Sequence, residues 1–113
     1  MAGHISIAPA KGTWVVRAGS AILGETSRAL EMREGRYPPV IYVPRDDMAM
    51  AFLEKTAKHT TCPHKGEASY YSVILPIGTL ENTVWSYESP IPAVADIAGH
   101  LAFYPDHIKV EPA

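Results

Sequence analysis

Thr60-Thr61-Cys62-Pro63-His64-Lys65-Gly66-Glu67-Ala68-Ser69-Tyr70-Tyr71-Ser72-Val73-Ile74-Leu75 is the stretch whose reading decides the fold. Its second half, Ala68 to Leu75, is dense in β-branched and aromatic residues and reads as a strand. Side chains alternate along a strand, so Tyr70, Ser72 and Ile74 fall on one face and Tyr71, Val73 and Leu75 on the other. The first half reads as a loop. It holds the only cysteine of the chain, a histidine two residues on, and a lysine and a glutamate either side of Gly66. Pro63 fixes its own backbone and biases Cys62 towards an extended shape, so the thiol has a defined, non-helical presentation.

On the N-terminal side, residues 1–12 read as an irregular lead-in. Thr13 to Ala18 reads as a strand, with Gly19-Ser20 as a two-residue turn into Ala21-Ile22-Leu23. Arg28 to Met32 reads as a strand, although its propensity is also helical. Glu34-Gly35-Arg36 is a turn, and Tyr37-Pro38-Pro39 forces extended backbone into the strand Val40 to Val43. Pro44, then Asp46 and Asp47, then Met48, Ala51 and Phe52 at helical spacing predict the main helix over 44–55. On the C-terminal side, Pro76-Ile77-Gly78 is a turn and Asn82 to Tyr87 a strand. Pro92 to Ala98 predicts a short helix ended by Gly99. Leu101 to Tyr104 and Ile108 to Val110 close the chain as strands. Short strands with frequent turn signals predict a mainly β, α+β domain built on a curled antiparallel sheet.

The totals set limits. A chain of 113 residues suits a single domain over 1–113 with one core. Ten prolines and eight glycines cut it into short elements. A formal net charge of -2 argues against a nucleic-acid partner, which needs clustered lysine and arginine. No apolar run approaches the ~20 residues of a membrane span. No secretory pattern opens the chain, and one cysteine forms no intrachain disulfide, so a cytoplasmic protein is the expectation.

The Cys62–Glu67 loop carries several chemistries. Neighbouring cations stabilise a thiolate, which makes Cys62, beside His64 and Lys65, a candidate nucleophile. Most free cysteines are instead small buried hydrophobes. Structural zinc needs four ligands, and His59, His100 and His107 stand at no recognisable spacing from Cys62 and His64, so no metal and no cofactor are expected. Lys65-Gly66 reverses the order of a phosphate-binding loop and precedes a strand, which leaves Lys65 and the open backbone of Gly66 as an anion contact. Glu67 is a candidate acid/base partner of Lys65, or one half of a solvated ion pair. Tyr42, Tyr70, Tyr71, Trp85 and Tyr87 lie on expected strands. They are either core or the lining of an aromatic pocket. The reading that unites these residues is a small-molecule-binding domain for an anionic or nucleotide-like ligand. Its site comprises Tyr42, His64, Lys65, Gly66, Tyr70, Trp85 and Tyr87, with Cys62 and Glu67 as candidate catalytic groups. A cysteine-dependent enzyme and a peptide- or protein-interaction module are the alternatives.

Four stretches carry a resemblance: Pro39 to Asp47, Thr61 to Val73, Val84 to Tyr87, and Ile97 to Tyr104. With their core Cys62-Pro63-His64-Lys65-Gly66-Glu67-Ala68-Ser69-Tyr70, they resemble the bacterial domain-of-unknown-function family 427. The resemblance implies a β-tent of two antiparallel sheets meeting at an angle, with ligands held in the space between them. It places Cys62, Lys65, Glu67, Tyr42, Trp85 and Tyr87 near that space. Many relatives of the fold carry a zinc on two pairs of cysteines, and a chain with one cysteine would have lost it. The family is also labelled nucleotidyltransferase-like. That chemistry needs carboxylates holding magnesium beside a triphosphate, and Asp46-Asp47 is the only acidic doublet.

Overall fold

The structure is a computed structural model and describes residues 4–113. Ten strands account for most of it: β1 (Ile5–Pro9), β2 (Trp14–Ala18), β3 (Ala21–Thr26), β4 (Leu30–Glu34), β5 (Val40–Pro44), β6 (Leu53–Cys62), β7 (Gly66–Leu75), β8 (Gly78–Ser86), β9 (His100–Phe103) and β10 (Lys109–Pro112). They form two antiparallel sheets. One has seven strands in the order β1-β4-β5-β9-β8-β7-β6, the other three in the order β10-β2-β3. The mainly β, two-sheet expectation therefore holds.

Four elements differ from the sequence reading, the first being β6, which runs through Thr60-Thr61-Cys62, paired with β7, where a loop was expected. Within the expected lead-in, residues 1–3 lie outside the described part, and Ile5 to Pro9 pair with β4 as β1. Ile5 and Ile7 alternate inwards onto a buried cluster, which is enough to hold so short a strand. The expected main helix over 44–55 is absent. Arg45–Asp47 and Met50–Phe52 form single 3-10 turns, and Leu53 already begins β6. The reason is tertiary. Gly24 bridges Met48, and the Ala49 N–H donates to the Leu23 carbonyl at 2.7 Å, so the middle of the segment is tied to β3. A helix would have to give up that pairing. The short helix at Pro92 is likewise 3-10, over Pro92–Ile97, with non-helical backbone at Val94.

The bridge also explains a glycine. A Cβ on Gly24 would stand 2.6 Å from Met48 Sδ and 2.8 Å from the Asp47 carbonyl oxygen, so the two segments approach as closely as they do only without a side chain there.

Because side chains alternate, the large sheet has two faces of different character. Val43, Val73, Val84, Leu101 and Phe103 point to one face and pack with Val16, Leu23 and Ile108 of the small-sheet layer into an aliphatic core. Tyr42, Tyr70, Tyr87 and Ala102 point to the other, where Val94 and Ile97 of the 3-10 segment cover part of them. The expected alternation of Tyr70 against Tyr71 and Val73 is the alternation found.

One seam in the large sheet positions the site. β5 and β9 share only two register pairs, Val43↔Leu101 and Pro44↔His100. Beyond them the strands part. One wing, β1-β4-β5, leaves the other, β9-β8-β7-β6, and a cleft opens between the two on the aromatic face.

Candidate functional site

The cleft has a volume of about 260 Å³. One wing supplies Met32 and Glu34 from β4, Val40 and Tyr42 from β5, and Tyr37-Pro38 from the loop between them. The other supplies Tyr70 from β7, Trp85 from β8, Tyr87 and Tyr104 just beyond β8 and β9, and Lys65 from the β6–β7 turn.

Two side-chain bridges cross it. Lys65 Nζ donates to Glu34 Oε1 at 2.6 Å, with 13% and 20% of the two side chains exposed. Trp85 Nε1 donates to the Tyr42 hydroxyl at 3.3 Å, with the rings edge to face. Tyr104 lies over Trp85 with ring centroids 4.7 Å apart and extends the aromatic wall outwards. The hydrogen bond from Lys65 holds the Glu34 carboxyl below its ordinary range, helped by His4 Nε2 at 3.6 Å from the other oxygen. Burial pushes the Tyr42 phenol up to about 12 and that of Tyr87 higher still, so both stay neutral hydrogen-bond donors. The Tyr87 hydroxyl makes no hydrogen bond among the described residues, although the ring is buried.

The turn that delivers Lys65 is built by its sequence. Lys65 N–H donates to the Cys62 carbonyl at 3.2 Å, closing Cys62 to Lys65 as a β-turn. Gly66 follows at φ 111°, a backbone angle that side chains resist, and pairs with Cys62. A Cβ there would lie 3.4 Å from the backbone of Pro90 and Ile91. The Lys65 carbonyl accepts from Ile91 N–H at 3.0 Å, which pins the turn against the 90–91 segment.

Of the residues singled out from sequence, Tyr42, Lys65, Tyr70, Trp85 and Tyr87 line the cleft. Gly66 shapes the turn without lining it. The His64 ring sits edge-on to His4 at 5.4 Å, beside the Glu34 carboxylate that His4 meets. Cys62 is partly buried and packs on the aromatic-face cluster. Glu67 is 67% exposed and lies 3.8 Å from His59. The lysine expected opposite Glu67 thus meets Glu34 instead, and it is a largely buried, paired cation rather than a solvated one. Glu34, Tyr37 and Tyr104 are cleft residues that sequence reasoning missed. Alternation from Ala102 would have placed Tyr104 on the aromatic face. Nothing local marks Glu34, whose partner is distant in sequence. Among the described residues, no three His, Cys, Asp or Glu side chains gather as a metal site requires.

Sheet order, seam and cleft define a class: a β-rich antiparallel protein with an aromatic cleft crossed by one lysine–glutamate pair. The chain belongs to the family described as Domain of unknown function (DUF427), whose model matches residues 6–112. No curated protein matches it. No helix among the described residues is long and apolar enough to cross a membrane.

Proposed function

We propose that the chain is a β-tent domain that binds a small molecule in the cleft between the two wings, through an anionic or acceptor-rich group. The tent description rests on the two-pair seam at β5 and β9, where the large sheet divides into wings. The binding reading rests above all on Lys65, a lysine 13% exposed and held by its turn in an aromatic cleft. An ammonium carries three donors, of which Glu34 takes one. The remaining donors, with the neutral hydroxyls of Tyr42 and Tyr87, suit a carboxylate, phosphate or carbonyl group. Trp85 and Tyr104 offer ring faces to an aromatic or apolar part of the same ligand.

Chemistry that needs two carboxylates on magnesium finds less support. Glu34 is the one carboxylate of the cleft lining and is already paired. Asp47 accepts from Thr26 at 2.7 Å and from Arg28 at 2.9 Å. Cys62 is not among the residues that line the cleft, although it packs on the cluster that holds Tyr42, Tyr70 and Tyr87.

A Trp14→Phe background leaves Trp85 as the sole indole, inside the cleft. Titration with benzoate, indole-3-acetate and adenosine monophosphate should change its fluorescence saturably for at least one of them. The response should weaken at least tenfold in Lys65→Met, since a hydrogen bond to a charged group is worth about 1.5–3 kcal/mol. No response from any of the three, with no shift in melting temperature, would remove the binding reading.

A further inference from the structure

A second cavity of about 480 Å³ adjoins the first. The two share Glu34, Tyr37, Pro38, Val40 and Trp85 as a common wall. Past that wall the lining changes character. Ile41, Phe103, Pro105, Ile108 and Val110 replace the tyrosines, and no cationic side chain contributes. The change follows from the seam: where β5 and β9 are unpaired, Ile41 and Phe103 stand on its two sides, and β10 closes the space from the small sheet. The aromatic chamber alone is smaller than the ~300–1,000 Å³ usual for small-ligand sites, whereas its neighbour falls within that range.

Resting on the cleft reading above, we infer that the ligand is an amphiphile: an anionic head group at Lys65 and an unbranched apolar tail that passes Trp85 into the second chamber. Polarity is segregated between the two adjoining cavities. Lys65, with the Tyr42 and Tyr87 hydroxyls, stands in one and aliphatic carbon in the other. A purely polar ligand would leave the aliphatic chamber wet. A purely apolar one would gain nothing from the buried ammonium. The Glu34 charge at the shared wall is offset by Lys65, which donates to it.

The probes are n-alkyl carboxylates from butanoate to decanoate, kept monomeric, and n-alkyl phosphates of equal length. Each is titrated into the Trp14→Phe protein and followed by Trp85 fluorescence and calorimetry. Affinity should rise about fourfold per added methylene until the chamber is filled, the factor expected for a buried CH₂. The preferred head group, carboxylate or phosphate, should show as a constant ratio along both series. Ile41→Ser should flatten the length dependence and leave short aromatic acids unaffected. Lys65→Met should weaken all lengths by one factor. Circular dichroism and a urea midpoint confirm that both variants are folded; Ile41→Ala replaces Ile41→Ser if the latter unfolds. If short aromatic acids bind through Lys65 but affinity does not depend on tail length, the amphiphile is wrong and the cleft reading stands. If no anion of any length binds, both fall. Peptides ending in a free phenylalanine that outcompete decanoate would also overturn the amphiphile, in favour of a chain terminus.

Discussion

The two faces of the large sheet are made from the same strands, yet the aliphatic one is packed shut except beside the Ile41–Phe103 gap, while the aromatic one surrounds a polar cleft. On the aliphatic face, Val43, Val73, Val84 and Leu101 are fully buried against the small sheet. At one end of it Glu88 gathers the polar groups, accepting from Lys55 at 2.8 Å and from Tyr71 at 2.7 Å, with Arg45 alongside at 3.7 Å. On the aromatic face, residues one position along the same strands surround open space, and a lysine with spare donors looks into it. The contrast separates side chains that stabilise the fold by burial from polar groups that face open space. On the reading proposed above, that space is where a small molecule binds.

Substitutions should expose that division. Leu101→Ala, at a site with no exposure, should cost about 2–5 kcal/mol in urea unfolding and leave probe binding in the surviving protein unchanged. Lys65→Met should show the opposite balance. Orphaning Glu34 costs about 1–3 kcal/mol, less than a fully buried pair because water reaches the carboxylate, and anionic probes bind at least tenfold more weakly. Combining it with Glu34→Gln should recover part of the stability and none of the binding, which a double-mutant cycle would register. Ser86→Ala tests whether the aliphatic face has a flaw. Among the described residues the Ser86 hydroxyl is buried with no partner, so its removal should be neutral or stabilise by up to about 1 kcal/mol.

The smallest effects should come with pH. Glu34 and Glu88 both titrate below the ordinary glutamate range in the folded protein, the first through Lys65 and the second through Lys55 and Tyr71. A depressed carboxyl stabilises above its unfolded value, near ~4.3, and that contribution disappears as pH falls through the folded value. Urea midpoints should therefore decline below about pH 4, and less steeply in Lys65→Met. Tyr42 works in the other direction. Its phenol is raised to about 12, so its contribution is complete below the ordinary tyrosine value of ~10 and is lost as pH rises from there towards 12. Tyrosinate absorbance should show it ionising late.

Where burial writes a period, the sequence could be read. β2, β3, β5, β7 and β8 show runs of β-branched and aromatic residues bounded by turn dipeptides, and Tyr42, Tyr70, Trp85 and Tyr87 came with them. β6 is different. From Glu54 to Thr61 it is an exposed edge, partly buried only at Thr56, so Lys55, Lys58 and His59 show no alternation. Lysines at an edge also discourage further strand pairing, which is a physical reason for their presence there. The helix over 44–55 failed because Met48, Ala51 and Phe52 fit helical spacing while Gly24, far off in sequence, claims Met48. Lys65 was visible as a residue but not as a partner of Glu34. The pair exists only because the two wings come together, and no local pattern encodes that meeting.

The small sheet has a consequence for how quickly the chain reaches this state. β2 is flanked on one side by β3, its neighbour across a tight turn, and on the other by β10 from the far end of the chain, with Val16 opposite Val110. The β2–β3 hairpin can form alone within microseconds. The third strand must wait until the chain between has been gathered, because loop-closure entropy is lost before its contacts form. Refolding should therefore fall in the millisecond-to-second range typical of non-local β topologies. Until β10 arrives, β2 keeps an unpaired edge, and aggregation competes with folding over that interval.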